Sequence, residues 1–267
     1  MTYELITLVS QDGYATITMN NPQRRNALSL KHMMELTRAF RTVGESAARG
    51  VILAGNGPVF SAGHDFADAV NQDLAAMRHM LRVCTEMMDA IQEIPQPVLA
   101  RVHGLATAAG CQLVATCDLA VASTNAGFAT PGGKGGWFCT TPMVALSRNI
   151  GRKRALEMLL TGDTIDARTA YEWGLVNRVV EPVHLEEEAL RLLEAATRGS
   201  WISKGMGKQA FYAQIDLPQH QGYNHAIEVM AATSQLPDAQ EGMQAFLEKR
   251  RPRFISASPL NESLPHR

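Results

Sequence analysis

The stretch His103-Gly104-Leu105-Ala106-Thr107-Ala108-Ala109-Gly110-Cys111-Gln112 decides how this chain folds. It follows a short apolar run, Pro97-Val98-Leu99-Ala100-Arg101-Val102, and leads into a helical segment from about Gly110 to Thr116. The run suits a strand covered on both faces. Small residues ahead of a helix let a ligand approach backbone N–H groups that have no intrahelical acceptor. A second stretch repeats the arrangement. Val51-Ile52-Leu53-Ala54-Gly55 reads as a buried strand, and Phe60-Ser61-Ala62-Gly63-His64-Asp65-Phe66 follows it. Ligands of α/β folds collect at the C-terminal ends of strands. Two such loops side by side can clasp one oxyanion between two amide hydrogens. Tight strand-to-helix packing selects the same Gly and Ala residues, so spacing alone does not separate the two readings.

Outward from these loops the pattern is strand and helix in alternation, which argues an α/β architecture. Leu5–Val9 and Tyr14–Met19 read as a hairpin turned by Gln11-Asp12-Gly13, and Asn20-Asn21-Pro22 ends its second strand. Ser29 caps a helix whose Leu30, Met33, Leu36, Phe40 and Val43 form a buried stripe, and the pair Met33-Met34 reads as core. A long helix is expected from about Asp68 to Glu93, and Leu119–Ala122 is a further buried strand. After Arg152 the segments Arg154–Leu160, Ala167–Trp173 and Leu185–Ala196 read as helices. From Trp201 onward nothing reads as a strand, and Ala226–Met230 and Glu241–Arg250 are amphipathic helix. No repeat of fixed period is visible.

The 267 residues are 46% hydrophobic and 19% charged, which gives ample core and argues against a disordered chain. Lys and Arg total 25 against 26 Asp and Glu, so no basic excess exists to hold a phosphate backbone. No apolar run reaches the ~20 residues that span a bilayer. The N-terminus lacks a basic region followed by an apolar stretch, so neither signal nor transit peptide is expected. Cys84, Cys111, Cys117 and Cys139 include no C-x-x-C pair and read as reduced, buried thiols. Together these features predict a cytoplasmic protein with no nucleic-acid or membrane partner.

Standard motifs for nucleotide, zinc and serine-hydrolase chemistry fail, and no metal site is expected. Gly55-Asn56-Gly57 lacks the third glycine of a dinucleotide loop. Gly132-Gly133-Lys134-Gly135-Gly136 lacks the following Ser or Thr of a phosphate loop and reads as a flexible connection.

Taken together, Asn21-Pro22, Arg25-Asn26-Ala27-Leu28, Ile52–Gly55, Phe60–Phe66, Gly104–Cys111 and Cys117-Asp118 resemble the crotonase superfamily of enoyl-CoA hydratases and isomerases. Phe128-Ala129-Thr130-Pro131, Thr161-Gly162, Gly174–Asn177 and Glu241–Arg250 continue the resemblance nearly end to end. More narrowly, Ala106–Ala122 and Phe128–Leu146 are similar to the enoyl-CoA hydratase domain-containing protein 3 subgroup. The resemblance implies an α/β fold: a crotonase-like ββα spiral over residues 1–200 and a helical C-terminal trimerisation region over residues 201–267. It implies a homotrimer, or a homohexamer built as a dimer of trimers. The implied ligand is an acyl-CoA thioester, with coenzyme A as part of the substrate and no other cofactor. Two main-chain N–H groups, those of His64 and Ala109, would hold the thioester oxygen and stabilise an enolate.

The departures from the family pattern carry as much information. Its hydratases use two glutamates, at positions that here read Gln112 and Gly132. A third acidic position, used by dienoyl isomerases, falls near Thr140. All three are non-acidic in this chain. Positioned acid–base groups contribute on the order of 10²–10⁴-fold, so ordinary hydration should be severely weakened. His64 is the best titratable substitute, since histidine works near neutral pH. Cys111 and Cys139 read as inert thiols, His103 as a satisfied core histidine and Asp118 as structural.

For the CoA moiety the resemblance points to Ala62, Gly63, His64, Asp65 and Phe66, with Gly110, Pro131 and Thr140 lining the site. Arg24 or Arg25 would approach the phosphates. Lys249 and Phe254 would reach a neighbouring subunit's CoA. Trp137 and Phe138 sit where an acyl chain would pass, or pack beneath the loop. Three readings stay open: hydratase or isomerase chemistry, decarboxylation of a malonyl-type thioester, and a non-catalytic acyl-CoA-binding oligomer.

Overall fold

A computed structural model describes residues 2–255; Met1 and residues 256–267, the end of the expected helical region, lie outside the described residues. The chain opens on β1 (Ile6–Gln11) and β2 (Tyr14–Met19), paired antiparallel with Gln11 opposite Tyr14. Asp12 and Gly13 between them take φ of 53° and 79°, the two-residue turn whose twist matches the flanking strands. α1 (Leu30–Gly44) starts where the Ser29 side chain accepts from the His32 N–H. Its Met33, Leu36, Phe40 and Val43 are buried. Met34, by contrast, is 59% exposed, because adjacent helical residues point about 100° apart.

Three ββα units follow. They are β3 (Gly50–Gly55), β4 (Val59–Ser61) and α2 (Leu74–Glu93); β5 (Val98–Val102), β6 (Leu105–Thr107) and α3 (Ala109–Thr116); and β7 (Leu119–Ser123), β8 (Gly127–Ala129) and α4 (Pro142–Asn149). Next come α5 (Arg152–Thr161), β9 (Ile165–Asp166), α6 (Ala167–Trp173), β10 (Arg178–Val180) and α7 (Leu185–Thr197). The chain then continues through α8 (Trp201–Gln214), α9 (Gln219–Ser234) and α10 (Pro237–Leu247). The first strand of each unit joins a six-stranded sheet, ordered β1-β2-β3-β5-β7-β10, and the second joins a four-stranded sheet, ordered β4-β6-β8-β9. Each unit therefore advances both sheets by one parallel strand, which is the expected ββα spiral.

The six-stranded sheet is covered on both faces, which explains its continuous apolar runs. Val51 and Leu53 point into the main core with α1 and α2. Ile52 and Ala54 point to the other face, where Leu99 and Val121 meet Leu185, Ala189 and Leu193 of α7. α7 lies so close that a β-carbon on Gly50 would come within 2.8 Å of Leu193.

Two expectations change. α2 begins at Leu74, not near Asp68, because the Asp73 side chain caps it by accepting from the Ala76 N–H at 2.8 Å. Asp68 instead closes a short 3₁₀ turn over Phe66–Asp68 and accepts from the Leu30 N–H at 2.7 Å. Strands also occur after Arg152: β9 and β10 extend the two sheets although they hold only two and three residues.

α8 is fastened to the sheet by a buried cluster. The Lys208 ammonium lies 2.7 Å from the Asp118 carboxylate and donates to the Ile91 and Gln96 carbonyls at 2.7 and 2.8 Å. Asp118 also accepts from the Tyr212 hydroxyl at 2.8 Å and the Val98 N–H at 2.6 Å. Asp118 is thus structural, as expected; His103 is satisfied, with its Nε2 2.9 Å from the Gly57 carbonyl, but it is half-buried rather than in the core. No helix among the described residues is long and apolar enough to cross a membrane.

Candidate active site

The loop after β4 is laid down by the segment before α1. Ala62 N–H donates to the Arg25 carbonyl at 3.0 Å, Leu28 N–H to the Gly63 carbonyl at 2.7 Å and Asp65 N–H to the Leu28 carbonyl at 3.3 Å. This is a short parallel bridge between Leu28 and His64. Hydrogen bonds alternate in such a bridge, so the His64 N–H is left on the side away from Leu28. Asn26 anchors the whole arrangement and is fully buried. Its amide donates to the carbonyls of Asn56, Val59 and Phe60, and its Oδ1 accepts from the Asn21 N–H. Arg25 and Asn26 both sit at positive φ, 52° and 51°, a conformation Asn tolerates well.

α3 brings the second N–H. Ala109 is its first residue, so its N–H has no intrahelical acceptor. Among the described residues neither the His64 N–H nor the Ala109 N–H meets a hydrogen-bond acceptor. The two loops touch through glycines. A β-carbon on Gly63 would fall 2.8 Å from Ala108 Cβ and 3.1 Å from the Ala109 nitrogen. One on Gly110 would fall 2.5 Å from the Ser61 carbonyl. Gly63 also takes φ of +83°, which favours glycine in its own right. Ala108 has φ of 51° and ψ of −119°, held by its N–H to the Ala129 carbonyl at 2.9 Å. An alanine there costs about 1–3 kcal/mol, a strain characteristic of functional turns. Gly63 and Gly110 thus hold the loop that carries the His64 N–H against the start of α3, which carries the Ala109 N–H.

The side chains around them are uncharged. Gln112 is 6% exposed and its Oε1 is buried without a partner. Thr130, fully buried, also has an unpartnered hydroxyl oxygen. Gly132 opens a 3₁₀ turn after Pro131, Pro131–Gly135, and has no room for a side chain. A β-carbon there would collide with the Trp137 carbonyl oxygen and lie 2.7 Å from Cys139 Sγ. The glycine run is therefore an ordered turn rather than a flexible connection, with Trp137 N–H donating to the Gly132 carbonyl at 2.9 Å. Burial pushes the Cys111 thiol up to about 12, with the neighbouring Cys139 adding to it, and burial raises Cys139 too. All four cysteines are free and buried.

His64 departs from expectation. Burial pushes its imidazole down to about 4, and its Nε2 has no hydrogen-bond partner. The ring is neutral at physiological pH and is not tuned to take and return a proton there. It lies 6.0 Å from the Trp137 ring, which in turn lies 6.2 Å from Phe66. Sequence reading missed Asn26, Ser61 and Thr130 as parts of this site. An Asn in the turn after Asn21-Pro22 was the one available signal, since the packing that buries the others comes from distant segments.

The outer residues divide. Arg24 Nη2 lies 2.8 Å from both carboxylate oxygens of Asp65, which places a cation beside the loop. Burial alone would raise Asp65, but hydrogen bonds from Arg24 and the Ala67 N–H, with the Arg24 charge, hold it below the usual carboxylate range. Arg25 is exposed and contributes its carbonyl. Thr140 is exposed beside this turn, its N–H donating to the Phe138 carbonyl at 2.8 Å. Lys249 is exposed just after α10, its N–H donating to the Phe246 carbonyl at 3.1 Å. Phe254 packs near Gly242 and lines a cavity of about 650 Å³ with Lys204, Met243, Phe246 and Leu247 of the C-terminal helices. Among the described residues no group of three or more His, Cys, Asp and Glu is placed to hold a metal ion.

Comparison with known proteins agrees with this architecture. The family model described as enoyl-CoA hydratase/isomerase matches residues 10–257. The chain belongs to this family, the crotonase superfamily. Within it the chain falls in the enoyl-CoA hydratase domain-containing protein 3 subgroup. It is 44% identical over 246 residues to the mitochondrial protein of that name from Mus musculus, covering 91% of this chain and 81% of the relative. The crystal structure of the human protein of that name superposes with a TM-score of 0.90 at 40% identity, covering 94% of this chain and all of that one. An enoyl-CoA hydratase structure from Mycobacterium smegmatis gives a TM-score of 0.91 at 45% identity, covering 94% of this chain and 98% of that one. The mouse, rat, zebrafish and human relatives are named mitochondrial, which overturns the expectation of a cytoplasmic protein. Unpaired thiols suit any reducing compartment and do not select the cytosol.

Proposed function

We propose that this chain binds an acyl-CoA thioester with its carbonyl oxygen between the N–H groups of His64 and Ala109, and stabilises an enolate there. The observation that carries the reading is the pair of unpaired N–H groups brought together by Gly63 and Gly110. Such donors act on charge that develops in the transition state, and each is worth roughly 3–4 kcal/mol in a water-excluded site. Arg24, fixed by Asp65 at the loop edge, supplies positive charge for the CoA phosphates. Ala62, Gly63, Asp65 and Phe66 border the CoA moiety. Lys249 and Phe254 serve a neighbouring copy in a trimer or hexamer.

The reaction is one that does not ask the protein for a strong base. Gln112 cannot take a proton, Gly132 has no side chain, the thiols are protonated and His64 is neutral with a low affinity for protons. Hydration of an enoyl thioester through two carboxylates is accordingly weak. This neutrality favours a second reading, decarboxylation of a malonyl-type thioester. There the bond from the α-carbon to the carboxylate breaks, its electron pair forms the enolate, CO₂ leaves, and water protonates the α-carbon.

The test is turnover of crotonyl-CoA, malonyl-CoA and methylmalonyl-CoA by the purified protein, followed by mass spectrometry. Loss of CO₂ from a malonyl-type thioester without hydration of crotonyl-CoA supports the base-free reading. Rapid hydration of crotonyl-CoA would overturn it. Tight binding of all three with no turnover would leave an acyl-CoA-binding oligomer.

A further inference from the structure

His32 stands in the first turn of α1 and is fully buried, on a helix that otherwise buries Met33, Leu36, Phe40 and Val43. Its Nδ1 lies 3.0 Å from the Ala27 carbonyl. A carbonyl only accepts, so Nδ1 carries the proton. Nε2 keeps a bare lone pair, which meets no partner among the described residues. Burial lowers the ring's affinity for protons and outweighs the Ala27 bond and the Glu35 charge, which act the other way. The ring is therefore neutral at physiological pH. A buried polar atom without a partner costs about 1–3 kcal/mol. A leucine would fill the same place without that cost, so what the histidine adds is its bond to Ala27.

Ala27 lies between two residues that hold the candidate site. Ahead of it, the Asn26 carbonyl accepts from the Ser61 hydroxyl at 2.9 Å, and Ser61 Oγ accepts from the Gly63 N–H at 3.3 Å. After it, Leu28 pairs with Gly63 and Asp65, the residues on either side of His64. The Ala27 carbonyl is turned to α1 instead, where it accepts from His32 Nδ1 and from the Ser29 N–H at 3.1 Å. Among the described residues His32 is the one side chain bonded to that carbonyl. Residues 26–28 are thus gripped from two sides, by α1 and by the loop after β4. Arg25 and Asn26, both at positive φ, do not hold this course by backbone preference.

Building on the acyl-CoA reading, we propose that His32 is a positioning residue for the thioester site: through the Ala27 carbonyl it sets the tilt of residues 26–28, and with it the aim of the His64 N–H at the thioester oxygen. The effect is local to the carbonyl end of the ligand. The Arg24 and Asp65 pair at the loop edge is closed by its own hydrogen bonds.

The test compares wild type with His32→Leu, which keeps the volume and loses the donor, and with His32→Asn, whose Nδ2 stands as many bonds from Cα as the histidine Nδ1. Circular dichroism first checks folding, and His32→Met, which adapts its shape more readily, replaces His32→Leu if that variant does not fold. Each protein is titrated calorimetrically with butyryl-CoA and with free CoA, which has no thioester carbonyl. Labelling with [15N]histidine reports the His64 amide resonance. His32→Leu should weaken butyryl-CoA binding about tenfold, leave free CoA unchanged and shift the His64 resonance, the signature of a misplaced donor. His32→Asn should restore both toward wild type. Wild-type affinity for butyryl-CoA in His32→Leu, or an unmoved His64 resonance, would overturn the inference. Equal weakening of both ligands, or no recovery in His32→Asn, would overturn it too, by marking a role in the fold alone. Wild type that binds butyryl-CoA no more tightly than free CoA would overturn the thioester reading itself and this inference with it.

Discussion

Gly63 lies so close to the turn ahead of α3 that a β-carbon on it would stand 3.1 Å from the Ala109 nitrogen. That contact holds the two loops against each other, and it tolerates only hydrogen at this position. Gly63→Ala is therefore expected to weaken thioester binding and lower kcat/KM by about 10²–10³, the cost of misplacing a preorganised donor. Gly207→Ala, with nothing within 4 Å, is the matched control and should leave activity unchanged. A Gly63→Ala protein with wild-type affinity for acyl-CoA would show that the two amides do not share a ligand.

Restoring the two family glutamates should give unequal results. Gln112→Glu changes an amide for a carboxylate of the same shape, and it should fold. It is expected to speed exchange of the α-proton of butyryl-CoA with deuterated solvent by about 10²-fold or more, since it supplies the missing base. Gly132→Ala already collides with the Trp137 carbonyl and should cost about 1–3 kcal/mol in a urea melt. Gly132→Glu should cost at least as much and yield no gain in hydration. A stable, faster Gly132→Glu enzyme would mean the turn repacks freely.

The low affinity of His64 for protons predicts a pH dependence of stability. Burial holds its pKa down to about 4 in the fold, against 6.5 for a free histidine. The unfolded chain thus takes up a proton over a window in which the folded chain does not. The contribution is fully present above pH 6.5 and is lost as pH falls toward 4, by on the order of 3 kcal/mol from a shift of this size. His32, also lowered by burial, acts in the same direction. Urea melts at pH 7.5 and 4.5 measure the loss, and His64→Gln should reduce the difference between them.

The Lys208 and Asp118 pair should be costly to halve. Lys208→Ala leaves the Asp118 carboxylate buried with its cation removed, and a loss of about 3–5 kcal/mol is expected. The double variant Lys208→Ala, Asp118→Asn should lose less than the sum of the two single changes, as residues in one network do. Strict additivity in thermal melts would show that the two groups do not support one another.

Much of this molecule was legible in its residues, and what was not has a common cause. β3, β5 and β7 announce themselves as apolar runs because both faces of their sheet are covered. β10 escaped because three residues carry no period of their own and are recruited by pairing with β7. The start of α2 was misplaced because Phe66–Asp68 has helical character, whereas the Asp73 cap ends the ambiguity five residues later. The free N–H groups of His64 and Ala109 came from family resemblance, not from spacing. The weak basicity of His64 comes from its burial, with Trp137 of another unit beside its ring, and the closure around Gly132 from its own turn folding back through Trp137 and Cys139; no local pattern encodes either.

The collision between Gly132 and Trp137 also ties one residue to the path of a whole turn. A side chain at position 132 and the present course of residues 132–139 exclude each other, so a glutamate placed there alone gives a damaged protein. Position 132 and the path of the turn after it are thus a single choice: a carboxylate there becomes possible only together with a different course for residues 132–139.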